Sequence, residues 1–361
     1  MRPLLRLALP SKGRLQQSTL AFMSRCGFDV RQSATRGYVG VIDALPQVTA
    51  IFQRPRDIVI SVANGGVDFG ITGLDVTQES GAGDRIRVLH EALGFGRCRL
   101  VAAVPEAWPE HTLAELAARA TAMAAAGYPL RVATVFPQLT AAFMRERGVT
   151  PVEIVEAEGA LEVMPEIGSA DMICDLAETG STLQQNRLRM LRDGVVLSTQ
   201  ACLIANAEAL KRPEVMAAAT ELLEYFEAHL RADGFTHVFA NIRGASAEDV
   251  ADRMFHQTTL YGLQGPTISP LMPSPRTAAP GAADPTRWFA VNLIVRRDEL
   301  TDAVNQLRAI GGSGVVVSPV TYIFEEMPER IARMRAWAGA VGNVGNVGNV
   351  GNVDNVSSKT T

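Results

Sequence analysis

One stretch near residue 180 combines two carboxylates with a turn of small, hydroxylated residues. An apolar run over 171–176 delivers Asp175 and Glu178, and the turn follows at once: Thr179, Gly180, Ser181 and Thr182. A helix N-terminus presents unpaired N–H groups and a partial positive charge, so this turn can hold a phosphate. The carboxylates can accept hydrogen bonds from a sugar diol. The stretch predicts a phosphosugar site; alternatively, the turn only caps the helix and the carboxylates are solvated.

A second stretch surrounds an apolar strand with glycines and acidic residues. Apolar residues alternate over 67–71, glycines flank this run, and Asp75 falls just beyond it. Ligands of open α/β sheets bind at the carboxyl ends of strands, so Gly73 and Asp75 are candidate site residues. The alternative is that these glycines only form turns.

A third stretch, residues 11–14, is a predicted strand-to-helix turn with two cations at its tip. Lysine occurs only three times in the chain, against 31 arginines, so Lys12 in a glycine turn stands out. Lys12 and Arg14 can neutralise a polyphosphate, the arginine through its forked guanidinium. Further cations that could join them are Arg36, Arg54, Arg56 and Arg99. For each of these side chains, a solvated surface charge is the alternative.

Composition and motif searches exclude several classes of protein. A net charge of −4 provides no positive field for nucleic acid, and 47% hydrophobic residues are typical of a folded globular chain. The four cysteines and five histidines show no metal-ligand spacing, so we assign no metal ligands. We find no P-loop, G-x-S-x-G or G-x-G-x-x-G motif. No apolar run reaches the ~18 residues of a membrane span and no signal-peptide pattern begins the chain, so we expect no membrane association and a cytoplasmic protein.

Short apolar runs alternate with helical patterns through about residue 230, which predicts parallel sheets covered by helices. The predicted strands span 4–9, 57–60, 67–71, 99–104, 131–134, 152–155 and 172–176. The predicted helices span 15–26, 112–126, 140–147, 183–191 and 213–231. The first part of the chain is therefore expected to be α/β.

After residue 234 the order of predicted elements becomes β-α-β-β-α-β, which is the ferredoxin-like order. The strands are predicted at 238–242, 267–271, 288–295 and 315–320, and the helices at 247–254 and 299–310. We place this domain at 235–326. Residues 272–287, rich in proline, alanine and glycine, are predicted to be an exposed loop. The Gly-Asn-Val repeats of 341–361 lack large apolar residues and are predicted to be disordered.

Together these stretches resemble the ATP phosphoribosyltransferase family. The likeness rests on LALPSKGRL, GGVDFGITGLD and ICDLAETGSTLQQNRL in this order, supported by EGALEVMPEIGSADMICD, and it runs from residue 4 to about residue 207. GPTISPL and VVVSPV in the final domain look like the regulatory domain of the family's long form. The short form of the family lacks that domain and depends on a separate partner subunit.

The resemblance implies a bilobal catalytic part shaped like a periplasmic binding protein, followed by a ferredoxin-like, ACT-like domain. The first catalytic lobe would span 1–100, and the second, with the phosphoribosyl motif, would span 101–189. Residues from about 190 to 230 would rejoin the first lobe.

The resemblance also implies a reaction, the first step of histidine biosynthesis. The phosphoribosyl group of phosphoribosyl pyrophosphate would move to N1 of ATP and release pyrophosphate, with Mg²⁺ as cofactor. The family's D-L-x-E-T-G-x-T-L segment binds the ribose 5-phosphate and its hydroxyls, and it maps onto Asp175, Glu178, Thr179, Gly180, Ser181 and Thr182.

The resemblance, together with the charges of the side chains, assigns roles to the remaining candidate residues. Arg14 and Arg36 match active-site arginines of the family. Lys12, Arg14 and Arg99 would stabilise the leaving pyrophosphate, and Gly73 and Asp75 would complete the nucleotide side of the site.

The resemblance further implies feedback inhibition by histidine in a homo-oligomer, either a dimer or a hexamer. The positions that match the family's effector pocket are Leu263, Thr267, Leu293 and Gly314. Two other functions stay open at this point: a non-catalytic bilobal protein that binds a small molecule, and a phosphoribosyltransferase that uses another acceptor base.

Overall fold

The computed structural model describes residues 5–32, 37–178, 180–272 and 287–342. Contacts divide the chain into a first unit, Met1–Glu224 with Met327–Thr361, and a second unit, Tyr225–Glu326. Two predicted site residues, Arg36 and Thr179, lie outside the described residues. So do most of the predicted loop, at 273–286, and the predicted tail from 343 onwards.

Strands and helices alternate along the described chain. The strands are β1 Leu5–Pro10, β2 Val30–Gln32, β3 Val39–Ile42, β4 Val48–Gln53, β5 Phe69–Gly73, β6 Ile86–His90, β7 Cys98–Pro105, β8 Leu130–Thr134, β9 Val152–Glu156, β10 Met172–Ala177, β11 Leu188–Thr199, β12 Ala201–Asn206, β13 Phe235–Gly244, β14 Thr267–Pro270, β15 Arg287–Arg296 and β16 Gly312–Pro319. The helices are α1 Gly13–Arg25, α2 Pro55–Ala63, α3 Leu74–Glu79, α4 Leu113–Ala125, α5 Pro137–Glu146, α6 Ser181–Gln185, α7 Pro213–Ala232, α8 Ala247–Gln257, α9 Leu300–Ala309 and α10 Glu329–Gly342.

The first lobe is built on a seven-stranded sheet with the order β2-β3-β4-β1-β5-β12-β6. At its centre, β1 lies parallel to both β4 and β5, and all but one of its residues are buried. A strand covered on both faces needs a nearly continuous apolar run, which β1 supplies. Because β1 and β5 are parallel neighbours, their carboxyl ends bring residues 10–14 and 73–75 to one edge of the sheet.

The second lobe is built on a five-stranded sheet with the order β11-β7-β10-β8-β9. Its central strand β10 runs antiparallel to β7 and parallel to β8. Helices α4 and α5 bury Leu116, Phe143 and Met144 in the core beside this sheet. Thr112 begins α4 with a capping box that includes Glu115, which fixes where this helix starts.

The chain crosses between the two sheets twice. β6 of the first sheet leads to β7 of the second, and β11 of the second leads through Gln200 to β12 of the first. The return at Gln200 comes later than the predicted return at about 190, because 188–199 forms β11 in the second sheet. Two α/β sheets joined by a double crossing are the bilobal arrangement of periplasmic binding proteins, so the predicted fold class is confirmed.

Two predicted elements of the catalytic part are wrong. Residues 57–60, predicted as a strand, lie in α2, because Pro55 begins a helix and the buried side chains of Ile58, Val59 and Val62 share one helical face. The predicted helix 183–191 is the five-residue α6 followed by β11. Arg187 separates the two elements with φ 54, a left-handed conformation that does not continue a right-handed helix.

The second unit contains a four-stranded sheet with the order β14-β15-β13-β16, and every adjacent pair is antiparallel. Helices α8 and α9 pack against it through Val250, Met254 and Leu307, around a core that includes Val238 and Ile242. The β-α-β-β-α-β order and this strand order are those of a ferredoxin-like domain, as predicted.

Helix α10, which the sequence analysis did not predict, returns the chain to the first unit. Its Ile331 and Met334 are buried, and Arg330 donates two hydrogen bonds to Glu91, of 2.6 and 3.1 Å. Arg330 lowers the pKa of Glu91 to about 2. Among the residues that the structure describes, no helix is long and apolar enough to cross a membrane.

Candidate active site

A cavity of about 590 Å³ in the first unit draws on both catalytic lobes. Its lining includes residues from all three sequence motifs: Lys12, Arg14, Gly73, Asp75 and Glu178. The other lining residues are Leu15, Ser18, Arg54, Pro55, Arg56, Asp57, Val76, Gly96, Cys98, Val135, Phe136, Glu158, Leu176 and Ala201. Its volume falls in the range of small-molecule sites.

The turn between β1 and α1 brings two cations to this cavity. Lys12 is extended ahead of α1, and Gly13 adopts φ 74, where a residue with a side chain would be strained. Arg14 donates a hydrogen bond from Nη1 to Glu178 Oε2, which links the first lobe to the second. The side chains are 74% and 48% exposed, so this ion pair contributes little to stability. An anionic ligand can therefore displace Glu178 from Arg14 at small cost.

Asp75 is a buried carboxylate in the cavity wall. It lies in the first turn of α3, just after β5, and is 6% exposed. The Thr199 hydroxyl donates a hydrogen bond to Asp75 Oδ1 over 3.2 Å and accepts one from the Asp75 N–H over 3.0 Å. Burial raises the pKa of Asp75, although the hydrogen bonds from the backbone and from Thr199 oppose that rise.

Gly73 leaves the space that the Asp75 carboxylate occupies. A Cβ built on Gly73 would overlap Asp75 Oδ1 and lie 3.2 Å from its Cγ. The backbone at Gly73, with φ −77 and ψ 142, is one that any residue adopts. The glycine is therefore required for its missing side chain and not for its conformation.

Arg99 faces a smaller neighbouring cavity of about 320 Å³. That cavity is lined by Arg97, Cys98, Arg99, Glu178, Ser198, Thr199 and Gln200. It shares Glu178 and Cys98 with the larger cavity, so Arg99 lies next to the other predicted cations without lining the same space.

The residues of the predicted phosphoribosyl motif do not all face the same cavity. Leu176 and Glu178 line the 590 Å³ cavity, whereas Asp175 lines neither this cavity nor the 320 Å³ cavity. Alternate residues of a strand face opposite sides, so Asp175 shares a face with Ile173 and Ala177, away from Leu176. Burial, together with the charge of Glu162, raises the pKa of Asp175 to about 6, although the Leu176 N–H bonded to it opposes this rise.

The predicted phosphate turn begins α6 directly after Glu178. Gly180 has φ 80 and precedes Ser181 and Thr182, the first two residues of that helix. No atom lies within 4 Å of a Cβ built on Gly180, so the space beside this glycine is open. Gly180, Ser181 and Thr182 line neither the 590 Å³ nor the 320 Å³ cavity, and their role stays a prediction.

Part of the cavity wall, at the start of α2, was not predicted from the sequence. Arg54 and Arg56 were expected only as further cations, and Asp57 was not expected in the site. Arg56 Nη2 donates a hydrogen bond to the carbonyl of Val135, which makes a second link between the lobes. The sequence Arg-Pro-Arg-Asp, with proline at a helix start, could have revealed this part of the wall. It was overlooked because residues 57–60 were predicted to form a strand.

A second cavity of about 570 Å³ adjoins this wall. Its lining consists of Ser11, Lys12, Tyr38, Ile51, Phe52, Gln53, Arg54 and Asp57. Lys12, Arg54 and Asp57 line both large cavities. The first unit therefore offers two adjoining spaces of similar size that share the cations Lys12 and Arg54.

Cys98 adds no nucleophile to the site. Burial and the nearby charges of Asp75 and Glu178 raise the pKa of this thiol to about 11, so it stays protonated at neutral pH. Across the described parts of the chain, no group of three or more histidine, cysteine, aspartate or glutamate side chains could hold a metal ion.

In the second unit, a cavity of about 480 Å³ gathers most of the predicted effector residues. Leu263, Thr267 and Leu293 line it, together with His237, Gln264, Gly265, Asn292, Ile294, Ile323 and Phe324. Gly314 does not line it. A Cβ built on Gly314 would lie 3.4 Å from Asn241 Nδ2, and its backbone is left-handed with φ 59.

Comparison with known families assigns both parts of the chain. The family model described as HisG, ATP phosphoribosyltransferase, matches residues 54–228, and the model described as HisG, C-terminal domain, matches residues 232–322. The first match begins at Arg54, so the turn that carries Lys12 and Arg14 lies ahead of it.

Curated relatives extend this likeness over most of the chain. ATP phosphoribosyltransferase 2, chloroplastic, from Arabidopsis thaliana is 42% identical over 92% of this chain and 80% of its own length. ATP phosphoribosyltransferase from Gemmatimonas aurantiaca is 36% identical over 88% of this chain and 98% of its own length. Among solved structures, the ATP phosphoribosyl transferase (HisG:HisZ) complex from Thermotoga maritima matches 62% of this chain and 98% of its own, with 24% identity and a TM-score of 0.47.

Proposed function

The chain belongs to the ATP phosphoribosyltransferase family, and we propose that the cavity between its catalytic lobes is where it carries out the family's reaction. It is a pentosyltransferase that catalyses the first step of histidine biosynthesis, joining the phosphoribosyl group of phosphoribosyl pyrophosphate to ATP. Its substrates are therefore two large polyphosphates. Both alternative functions, a non-catalytic binder and a transferase for another base, lose their support with the family assignment.

One observation carries the assignment of the site. Three motifs, separated by some 60 to 100 residues each in the sequence, contribute side chains to one cavity: Lys12 and Arg14, Gly73 and Asp75, and Glu178. A second cavity of similar volume shares Lys12 and Arg54 with it. Two adjoining spaces with common cations suit a reaction between two polyphosphate substrates.

The residues of the cavity match the charge changes of the reaction. When pyrophosphate leaves the anomeric carbon, positive charge develops on the sugar and negative charge on the leaving group. Lys12, Arg14 and Arg54 would stabilise the leaving pyrophosphate, and the Asp75 and Glu178 carboxylates lie nearby to orient sugar hydroxyls. Adenine N1 already carries a lone pair, so attack on the sugar needs positioning more than a general base.

The start of α6 is proposed to bind the ribose 5-phosphate. It follows Glu178 directly, Gly180 precedes it in a left-handed conformation, and its first two residues, Ser181 and Thr182, carry hydroxyl groups, a side-chain type that can donate a hydrogen bond to phosphate. Asp175 and Thr179 complete the motif by resemblance to the family. Binding of the phosphate here, next to Glu178, would aim the anomeric carbon at the cavity.

We propose Mg²⁺ as the cofactor, because the donor set of the cavity suits it. Mg²⁺ is commonly held by one or two carboxylates, waters and substrate phosphates instead of a protein cage. Asp57, Asp75, Glu158 and Glu178 supply hard carboxylate oxygens. When bound with pyrophosphate, the ion would neutralise part of its charge.

Three further assignments are proposals that rest on the family. The cavity lined by Leu263, Thr267 and Leu293 would bind histidine as a feedback inhibitor; Gly314 belongs to the same domain but does not line that cavity. The active form would be a homo-oligomer, a dimer or a hexamer. The cytoplasm is our prediction for its location.

The test is formation of phosphoribosyl-ATP by purified protein supplied with ATP, phosphoribosyl pyrophosphate and Mg²⁺, followed by ultraviolet absorbance. Arg14→Gln should lower kcat/KM by about 10²-fold or more, as when one donor to a developing anion is lost. Arg31→Gln is the matched control, because Arg31 on β2 forms a similarly exposed ion pair with Asp43, away from the cavity. Equal activity in both variants would remove the assignment of the cavity.

A further inference from the structure

Glu79 connects the two catalytic lobes at a point outside the substrate cavity. It is the last residue of α3, the helix that begins with Leu74 and Asp75 in the first lobe. Its Oε1 accepts a hydrogen bond from the N–H of Gln138 over 2.8 Å, and its Oε2 accepts one from the N–H of Leu139 over 3.0 Å. Both amides belong to the first turn of α5 in the second lobe.

Helix α5 lacks a capping side chain of its own. Phe136, in the N-cap position, makes no side-chain cap hydrogen bond, and the first turn of α5 contains no acidic residue. The first N–H groups of a helix need acceptors, and a carboxylate there also interacts favourably with the helix dipole. Glu79 therefore supplies from one lobe the cap that the other lobe lacks.

The two helices that Glu79 connects, α3 and α5, both lie next to residues that line the substrate cavity. Val135 and Phe136, directly before α5, line the cavity, and so do Asp75 and Val76 at the start of α3. Val76 also packs against the cores of both lobes. Any change in how α3 meets α5 therefore moves one wall of the cavity against another.

We propose that Glu79 is a positioning residue, an interlobe latch that holds the wall formed by Val135 and Phe136 against Asp75 for substrate binding. The proposal rests on the proposed function of the cavity. Without the latch, the arrangement in which Glu79 joins α3 to α5 is populated less in the free protein, and the apparent affinity for substrates that bind to this arrangement falls by the same factor. Saturating substrate restores this arrangement, so turnover at saturation is kept.

The experiment compares Glu79→Ala with the unaltered full-length protein. We expect KM for both substrates to rise roughly 10- to 150-fold, the effect of losing a hydrogen bond to a charged acceptor, with kcat unchanged. The amides of Gln138 and Leu139 should also exchange their hydrogens faster. Glu146→Ala is the matched control, since Glu146 is an exposed acid at the other end of α5.

A second variant separates the latch from a simple helix cap. Glu79→Ala with Gln138→Glu returns a carboxylate to the first turn of α5, but within the second lobe. It should recover thermal stability while KM stays high. An unchanged KM in Glu79→Ala, or recovery of KM together with stability in the double variant, would overturn the proposal.

The amide exchange distinguishes this proposal from the assignment of the reaction. If the unaltered protein forms no phosphoribosyl-ATP, the proposed function fails, yet faster exchange at Gln138 and Leu139 in Glu79→Ala would still support the interlobe contact. If the enzyme is active and exchange at these two amides does not change, the latch fails alone.

Discussion

Replacement of Gly73 by alanine tests whether the position of the Asp75 carboxylate matters for the reaction. The backbone angles of Gly73 suit alanine, so this substitution adds one Cβ and no backbone strain. That Cβ would occupy the place of Asp75 Oδ1. The carboxylate must rotate away, and it would then lose the hydrogen bond that the Thr199 hydroxyl donates over 3.2 Å.

The size of the expected effect follows from the hydrogen bond that a displaced Asp75 carboxylate would no longer make to the substrate. A hydrogen bond to a charged group is worth about 1.5 to 3 kcal/mol. If Asp75 contacts the substrate in the transition state, each ~1.4 kcal/mol lost lowers the rate tenfold. We therefore expect kcat/KM for phosphoribosyl-ATP formation to fall roughly 10- to 150-fold in Gly73→Ala.

The assay is steady-state formation of phosphoribosyl-ATP with each substrate varied in turn. Gly66→Ala is the matched control, since a Cβ at Gly66 would make only ordinary contact, 3.5 Å from the carbonyl oxygen of Ser61. Full activity in Gly73→Ala would refute the reasoning, because the carboxylate cannot keep its place beside the new methyl group. Equal losses in both variants would point to general damage to the lobe.

Three other predictions test the remaining parts of the site. Gly180→Val should abolish activity, whereas Gly168→Val should retain it. Both glycines have left-handed backbones and open surroundings, but only Gly180 lies in the predicted phosphate turn. Similar activities in the two variants would show that the turn is not part of the active site. Burial raises the pKa of Asp175 to about 6, so its ionised, hydrogen-bond-accepting form is lost as pH falls through 6. We expect kcat/KM to fall on that acid side, and the persistence of this limb in Asp175→Asn would contradict the assignment. Thr267→Trp should obstruct the cavity of the second unit and remove inhibition by histidine without changing the uninhibited rate. Thr301→Trp, on the exposed side of α9, should leave inhibition intact. Inhibition that survives in Thr267→Trp would exclude this cavity as the histidine site.

The predicted strands are sufficient to show that two of the three motifs meet, because these two motifs follow strands of one parallel sheet. Lys12 and Asp75 follow β1 and β5, and parallel neighbours end at the same edge. Glu178 follows β10 of the other sheet, so its approach to Arg14 depends on the double crossing. That crossing was expected only from the resemblance to a family, since periodicity does not reveal which sheet a strand joins.

The errors arose where local patterns were ambiguous. The run Asp57 to Ile60 is rich in β-branched residues, but Pro55 and the burial of Val62 one turn further on favour a helix. A correct helix there would have placed Arg54 and Arg56 at a helix start beside the site.

The charged links across the cleft are suited to different tasks. Arg14 and Glu178 pair inside the cavity and are exposed, so a substrate phosphate can take the guanidinium at little cost. Glu79 lies outside the lining of the 590 Å³ cavity, and so do Gln138 and Leu139, whose backbone N–H groups donate hydrogen bonds to it. A substrate phosphate can thus replace Glu178 at Arg14 while Glu79 keeps its hydrogen bonds to α5. Because Glu178 already keeps the Arg14 guanidinium at the cavity, part of the cost of ordering this cation is met on folding and not on binding.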